Sequence, residues 1–402
     1  MNKTLLEMER KNMKFRKGEL FCGPGGLALA AKSAQVNNDG ESFEVEHVWS
    51  NDIDFAACKT FARNIIGVDD ELVEECITKN EEELNNNISV LCKDVREIDV
   101  TKLPKIDAFT FGFPCNDFSN VGEKKGFEGK YGPLYTYGVK VLNHHNPKWF
   151  LAENVGGLQS ANDGTAFKKI ISDLSNAGEY GYELTTHLYK FEQYGVPQSR
   201  HRIIIVGIRK DIYDNEGIRF KVPAPTTPTE DMYRTSKWAL EKGYDEVAIT
   251  SSIGFYNNEQ TKHPKQTIDR LNAIPPGENA WYEGIPEHLR LNVKGAKLSN
   301  IYKRLDPNRP AYTVTGSGGG GTHMYHYAEP RALTNRERAR LQSFPDNYKF
   351  LGNKEDIRKQ VGMAVPPMGA KIIIEAILKS FAKINYDFIE PKWNIDDLRD
   401  TD

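Results

Sequence analysis

No apolar run in the sequence approaches the roughly 20 residues that a membrane-crossing helix needs, so a membrane architecture is not expected. The first twenty residues, MNKTLLEMERKNMKFRKGEL, are charged throughout and have no apolar centre of the signal-peptide kind. Cysteine is scarce and unpaired. The five residues, at 22, 58, 76, 92 and 115, are an odd number with no C-x-x-C, which argues against a disulfide framework and for reduced thiols in an intracellular setting. No histidine stands at ligand spacing from a cysteine pair, so no metal is expected. The adjacent His144 and His145 diverge on a helix, and at least one is expected in solvent. Positive charge is not in excess: 53 Lys and Arg against 56 Asp and Glu give −3. A nucleic-acid binder of this composition would need a local basic surface. One candidate runs from Arg290 to Arg309, with six basic residues against Asp306, and it serves equally as a solvated face.

What remains is an ordinary globular composition, 39% hydrophobic and 27% charged, long enough for two or three domains at about 150 residues each. The first half alternates strands and helices. GELF runs into the turn CGPGG and a helix, LALAAKSAQV, follows. FEVEHVWS, ISVLC, IDAFTFG, KWFLAEN, YELTTHLYK and RIIIVGI read as strands, and DFAACKTFARNII as a helix. The acidic, asparagine-rich stretch from Asp69 to Asn87 reads as a surface insertion. This rhythm predicts an α/β domain with a mostly parallel sheet. In such sheets ligands bind off the carboxyl ends of the strands. Gly23, Asp52, Asp94, Cys115 and Glu153 all fall at such ends, a pattern that packing alone explains poorly.

After Arg209 the texture changes to proline-rich and glycine-rich sequence without a βα rhythm, as far as about residue 330. A smaller, loop-rich second domain is expected there. Helical patterning resumes at TNRERARLQSF, where Thr334 and Glu337 make a capping box. GAKIIIEAILKSFAKI is an apolar helix that needs the first domain's sheet to cover it, so the chain leaves the first domain and returns to it.

FCGPGG spaces its glycines as G-x-G-G and not as the G-x-G-x-x-G of a dinucleotide site. The turn suits an anionic or polar ligand group at a helix N-terminus, and equally a plain strand–helix connection. Asp52 lies 26 residues after Gly26, near the distance at which an acid meets a ribose, and Asp94 at the next strand end suits an adenine amino group. Cys115 sits behind Pro114 where an apolar run stops, which fits a loop-held thiolate nucleophile as well as an inert strand-end thiol. Glu153, in an apolar setting, is a candidate proton donor. Gln198, Arg200 and Arg202 alternate and are expected on one strand face.

The ordered set FCGPGG, GFPCNDFS, ENV, QSRHR, RALTNRERARLQSFPD and QVGMAVPP resembles the cytosine-C5 DNA methyltransferases of bacterial restriction-modification systems, over residues 17 to 385. The resemblance implies a Rossmann-like S-adenosylmethionine-dependent domain with a mostly parallel sheet, plus a smaller loop-rich target-recognition domain. Its parts are a catalytic domain at 14–208, target recognition at 209–332, a hinge at 333–356 and a return segment at 357–391. It implies a sequence-specific DNA (cytosine-5-)-methyltransferase that swings a cytosine out of the duplex, adds a thiolate at C6 and moves a methyl group from S-adenosylmethionine to C5. Cys115 would be the nucleophile, presented by Pro114. Glu153 would meet N3 and the amino group, with Asn154 beside it, and Arg200 would meet O2, with Arg202 beyond.

The cofactor would lie on Phe21, Gly23, Pro24, Gly25, Gly26, Asp52, Ile53, Asp94, Val95, Pro114, Leu134, Ala364 and Val365, and would leave as S-adenosylhomocysteine. DNA contacts would come from Ser119, Gln198, Arg304, Thr313, Thr315, Ser317 and Gly318. The implied partners are double-stranded DNA and a separately acting cognate endonuclease, with no membrane and no metal. The implied setting is a monomer in the bacterial cytoplasm, on the nucleoid. Two positions depart from the family pattern: Asn116 stands where glutamine is usual, and Met363 where asparagine is usual. Met363 puts cofactor affinity or domain closure in doubt. A transfer-RNA cytosine methyltransferase and a non-catalytic DNA-binding relative are the alternatives. A nucleotide-dependent oxidoreductase ranks last because it leaves Cys115 and the arginines unused.

Overall fold

The computed structural model describes residues 12–84, 89–114, 134–249, 254–292 and 298–398. Cys115, Asn116 and Ser119 lie outside the described residues. The chain divides into two compact units, Met1–Tyr189 with His201–Ala224 and Gly369–Asp402, and Lys190–Arg200 with Pro225–Met368.

In chain order the strands of the first unit are β1 (Asn12–Leu20), β2 (Gln35–Asn38), β3 (Glu41–Asp52), β4 (Ile77–Thr78), β5 (Val90–Cys92), β6 (Ala108–Gly112), β7 (Trp149–Val155) and β8 (Tyr182–Lys190). After a two-residue strand of the second unit, β9 (Gln198–Ser199), come β10 (His201–Arg209) and β11 (Val222–Pro223). The principal sheet has the order β4-β5-β3-β1-β6-β7-β10-β8, with β2 pairing β3 at its side. β4 to β7 along this path pair in parallel, whereas β7 and β10 are antiparallel. β1 sits centrally: the chain goes from it to β3 on one side and later to β6 on the other. That reversal is where α/β sheets open a crevice at the carboxyl ends of their strands.

β6 and β10 are near-continuous apolar runs, as strands buried on both faces are. AFTFG of β6 is buried at its first four residues, and Ile203 to Val206 of β10 are fully buried. Phe109, Phe111, Phe150, Ile203 and Ile205 join one core with Ala166, Phe167, Ile170, Ile171 and Leu174. The last five form one stripe of the helix Thr165–Ser175, at helical spacing. Each large side chain so buried contributes about 1.5–3 kcal/mol. The expected returning helix is Pro367–Phe381. Its Ile373, Ile374, Ile377 and Leu378 are buried, and Phe381 packs edge-on against Phe15 of β1 at 4.8 Å. The segment Lys354–Phe381 is apolar enough by length and composition to cross a membrane, but 72% of that apolar window is buried inside the fold.

Two local expectations change. The tail of the predicted first helix, Gln35 and Val36, belongs instead to the strand Gln35–Asn38, because Val36 finds a buried place antiparallel to Phe43. The acidic insertion is partly built in: Ile77–Thr78 pairs with β5, and the buried Glu81 binds Lys93 at 2.9 Å. His144 is exposed as expected, and His145 Nε2 lies 3.2 Å from the Val100 carbonyl.

The second unit is loop-rich, and among its described residues the short strands β9 and β12 (Ala311–Tyr312) pair in parallel. Its small core gathers Leu271, Ile274, Ala280, Ile285, Leu289, Tyr302, Tyr325 and Ala332. With so little regular structure, its free carbonyls are met by buried arginines. Arg336 donates to the carbonyls of Tyr256, Pro345 and Tyr348. The capping box at Thr334 and Glu337 forms as the sequence predicts.

The division of the chain departs from 14–208, 209–332, 333–356 and 357–391. Residues 209–224 stay with the first unit, where Val222–Pro223 pairs with β13 (Phe388–Ile389). The segment 333–356 is no separate hinge but part of the second unit, tied by Arg336 to Tyr256 and by Asn257 to the Phe350 carbonyl at 3.0 Å. Residues 190–200 and 357–368 join it too.

Candidate active site

Leu20 of β1 pairs with Asn51 of β3 and Phe111 of β6, so the ends of these three strands share one rim. Phe21, Gly23 and Gly25 then turn the chain at φ 55°, 52° and 97° before the helix Gly26–Ser33 begins. A left-handed conformation costs a glycine little and a phenylalanine about 1–3 kcal/mol, a kind of strain that collects at functional sites. The Gly23 N–H donates to Asp52 Oδ2 at 2.8 Å, and the Asp54 N–H to Asp52 Oδ1 at 2.9 Å. Burial pushes the Asp52 carboxyl above its ordinary value, against these two N–H groups, which lower it. Asn51 clamps the rim by donating to the carbonyls of Leu91 and Lys93 at 2.9 and 2.8 Å. Among the described residues nothing lies within 4 Å of where a Cβ on Gly23 would stand. A glycine turn, a carboxylate at its edge and the 67%-exposed Ile53 beside them fit the polar and apolar parts of an adenosyl group.

Asp94 ends the next strand connection. Its carboxylate accepts from the Arg96 N–H at 3.0 Å and from the Arg96 guanidinium, so it also caps its own turn, while Val95 is buried. Leu134 is 9% exposed. Pro24 and Gly26 belong to the turn and first helical residue as the motif requires, and Ala364 and Val365 are buried in the second unit.

Glu153 of β7 is paired in register with Gly112 of β6, and a Cβ on Gly112 would stand 3.1 Å from Glu153 Oε2. Arg202 of β10 holds the other oxygen, Nε to Oε1 at 2.9 Å, with both side chains about one-eighth exposed. The apolar setting expected for Glu153 is therefore corrected to a charge-assisted pair. Asn154 is buried and donates to the Phe113 carbonyl at 3.1 Å, while its Oδ1 accepts from the Val155 N–H at 2.8 Å. It thus ties β7 to the residue preceding Pro114. Asn154→Ala leaves the Phe113 carbonyl unsatisfied and should cost about 1–3 kcal/mol. An unchanged midpoint in urea unfolding would refute this role.

The shared face of Gln198, Arg200 and Arg202 does not form, because the strand breaks between Ser199 and His201. Arg200 is buried in the second unit, donating to the carbonyls of Val314 and Gly362 at 3.0 Å each. Gln198 is also buried there, bound to Gln342, Leu341 and the Val314 N–H. Arg304 is corrected likewise: 6% exposed, it donates to the carbonyls of Leu271, Ile274, His326 and Tyr327. Each of these three is a brace whose donors are turned inward to protein acceptors. Thr313 Oγ1 donates to the Ser199 carbonyl at 2.8 Å, whereas Thr315 and Ser317 are exposed and Gly318 half-buried. Met363, at the end of the helix Lys354–Met363, is 65% exposed.

Sequence reasoning missed Asn51 and the buried ion pair of Lys17 and Glu19 with Thr110 beneath the turn. The signal was there: opposite charges two apart on a strand share a face. Among the described residues no group of three or more His, Cys, Asp or Glu could hold a metal.

A family model for C-5 cytosine-specific DNA methylases matches residues 15–379. The Type II methyltransferase M.BbvI of Brevibacillus brevis is 59% identical over 392 residues, 96% of each chain. M.NgoFVII of Neisseria gonorrhoeae is 37% identical, over 97% of this chain and 93% of its own. Among solved structures, S. pombe Dnmt2 methyltransferase matches at TM-score 0.54 and 16% identity, over 91% of this chain and 99% of its own, a likeness of fold. With the whole motif series matched, the chain belongs to the C-5 cytosine-specific DNA methylase family and is a DNA (cytosine-5-)-methyltransferase.

Proposed function

We propose that this enzyme methylates one cytosine within a short duplex sequence, as the Type II character of its relatives suggests. The observation that carries the site assignment is the Arg202–Glu153 pair at the rim that also holds the glycine turn and Pro114. S-adenosylmethionine, when bound, supplies a methyl group on a positively charged sulfur and departs as S-adenosylhomocysteine. The turn at Phe21, Gly23 and Gly25 would receive its methionine part, Asp52 its ribose hydroxyls, and Ile53 with Asp94 and Val95 its adenine.

C5 of cytosine is too weak a nucleophile to take a methyl group unaided. The Cys115 thiolate forms a bond to C6, and the displaced electron pair becomes available at C5 while Glu153 supports N3. After C5 bonds to the methyl carbon, loss of the C5 proton drives the C6–S bond to break and returns the thiolate. Arg202 orients Glu153 and is the arginine in reach of the base, in place of Arg200, whose donors hold backbone. None of this fits inside a stacked duplex, so the base must leave it. The second unit supplies target recognition, with Thr313, Thr315, Ser317 and Gly318 toward DNA. A cognate endonuclease acting separately, a monomeric state and residence in the bacterial cytoplasm complete the proposal.

The test is incubation with S-adenosylmethionine and unmethylated genomic DNA, followed by bisulfite sequencing. Marks confined to one recurring short sequence are expected. Unmodified DNA, or marks scattered without sequence context, would overturn the reading.

A further inference from the structure

Several arginines of the second unit have their donors met by the protein. Arg304 and Arg336 spend their donors on backbone carbonyls, and Arg331 and Arg340 on carboxylates, with Arg340 Nε 2.8 Å from Asp346. Arg338 and Arg358 do neither. Arg338 is 1% exposed, its Nη1 makes only a long 3.4 Å bond to the Thr315 carbonyl, and its Nη2 has no hydrogen-bond partner among the described residues. Arg358 Nε is likewise buried without a partner, and the nearest carboxylate, the exposed Glu355, stands 3.8 Å from its Nη2. Leaving buried charged donors unmet is costly, so such groups call for a partner from outside the chain, whether water, an ion or a ligand.

Both guanidinium groups converge on one loop. A Cβ on Gly318 would lie 3.5 Å from Arg358 Nε and 3.5 Å from His323 Nδ1, and Arg338 reaches the Thr315 carbonyl in the same loop. The helix Lys354–Met363 approaches so closely that a Cβ on Gly362 would overlap the Gly316 nitrogen at 2.0 Å. Around the cluster stand further bases, Lys354 and His263, whereas Glu337 is already held by Arg331. The excess positive charge is felt by the group in its midst: burial first, and then Arg338, Arg358, His263 and Lys354, push the His323 imidazole down to about 4. Burial also lowers Arg338, to about 10.

We infer that Arg338, Arg358 and His323, with the Thr315–Gly318 loop, form an oxyanion subsite that takes a backbone phosphate of the DNA substrate. Two convergent guanidinium groups match the geometry of a phosphodiester, and the small loop residues let it approach. His323 is neutral at pH 7 and acts there as a hydrogen-bonding group, so the subsite's charge comes from the arginines. This rests on the reading of the enzyme as a duplex-DNA methyltransferase and adds the anchor that fixes the strand on its second unit.

The test is the salt dependence of duplex binding by the full-length protein. Arg358→Gln, at a side chain only 16% exposed but on the margin of the core, is the primary variant. His323→Asn guards against a folding artefact, and the unfolding midpoint of each is recorded. Removing one phosphate contact should weaken binding roughly tenfold at about 0.1 M salt and reduce the slope of log K against log salt by about 0.9. The methylated sequence should stay the same. Inorganic phosphate that competes at matched ionic strength with the parent protein but not with Arg358→Gln also supports the subsite, with free phosphate as a second occupant. Parent affinity and slope in a folded Arg358→Gln overturn the subsite alone. A parent protein that fails to bind duplex DNA overturns the functional reading and the subsite together.

Discussion

Cys115→Ser is expected to lose methyl transfer by at least about 10³-fold while still binding duplex DNA and S-adenosylmethionine. A serine hydroxyl is far less acidic than a thiol, so at neutral pH almost no anion is present to add to C6. Without that bond, no electron density reaches C5, however well the other groups stand. The supporting frame is independent of the sulfur. Asn154 secures the Phe113 carbonyl, just ahead of the cysteine in sequence, and Arg202 secures Glu153. Single-turnover transfer with radiolabelled donor measures the loss, and DNA carrying 5-fluorocytosine tests the covalent step. Fluorine at C5 blocks the elimination, so the parent protein should remain bound through denaturing electrophoresis and Cys115→Ser should not. Turnover within tenfold of the parent would exclude the assigned nucleophile.

The largest effect on stability is expected at Lys17. Its ammonium and the Glu19 carboxylate are each about 1% exposed, and Lys17 also donates to Thr110 Oγ1 at 3.0 Å. Lys17→Met strands Glu19 as an uncompensated buried charge and should cost about 3–5 kcal/mol. The double change Lys17→Met with Glu19→Leu removes both charges and should recover most of that loss. The pH dependence has a definite sign. Burial, opposed by Lys17, raises the Glu19 carboxyl above its ordinary value of 4.5, so the folded state holds its proton more tightly than the unfolded chain. Such a group stabilises fully below the unfolded value, and that contribution fades as pH rises through the folded value. With Lys17 gone the carboxyl is less able to ionise, so the deficit of Lys17→Met should shrink on acidification from pH 7 toward 4.5. Urea unfolding across this range reads it, and a deficit that grows on acidification would contradict the assignment.

The rim of strand ends was legible because strand ends are legible. The apolar runs before Gly23, Asp52 and Glu153 stop where side-chain chemistry changes, and parallel pairing brings those stops to one rim. The capping box and the apolar return helix were equally plain, since each is a local pattern with one structural solution. Arg200, Gln198 and Arg304 show where such reading fails. An arginine that braces backbone and an arginine that meets a ligand have the same sequence appearance, and only the carbonyls around the side chain separate them. Alternation predicted a shared face for Arg200 and Arg202, but it holds only while a strand continues, and here the strand breaks at Arg200.

By itself the sequence determined the α/β rhythm, the order of the motifs and the chemistry they carry, because hydrophobic period and turn residues act over a few positions along the chain. The tertiary structure decided which charge meets which. It put Arg202 on Glu153, Lys17 under the glycine turn, Arg200 on the carbonyls of Val314 and Gly362, and left Arg338 and Arg358 with donors unmet among the described residues. Those pairings join residues as far apart as 162 positions. The energy of a buried charge depends on neighbours and solvent access in space, which local sequence does not encode.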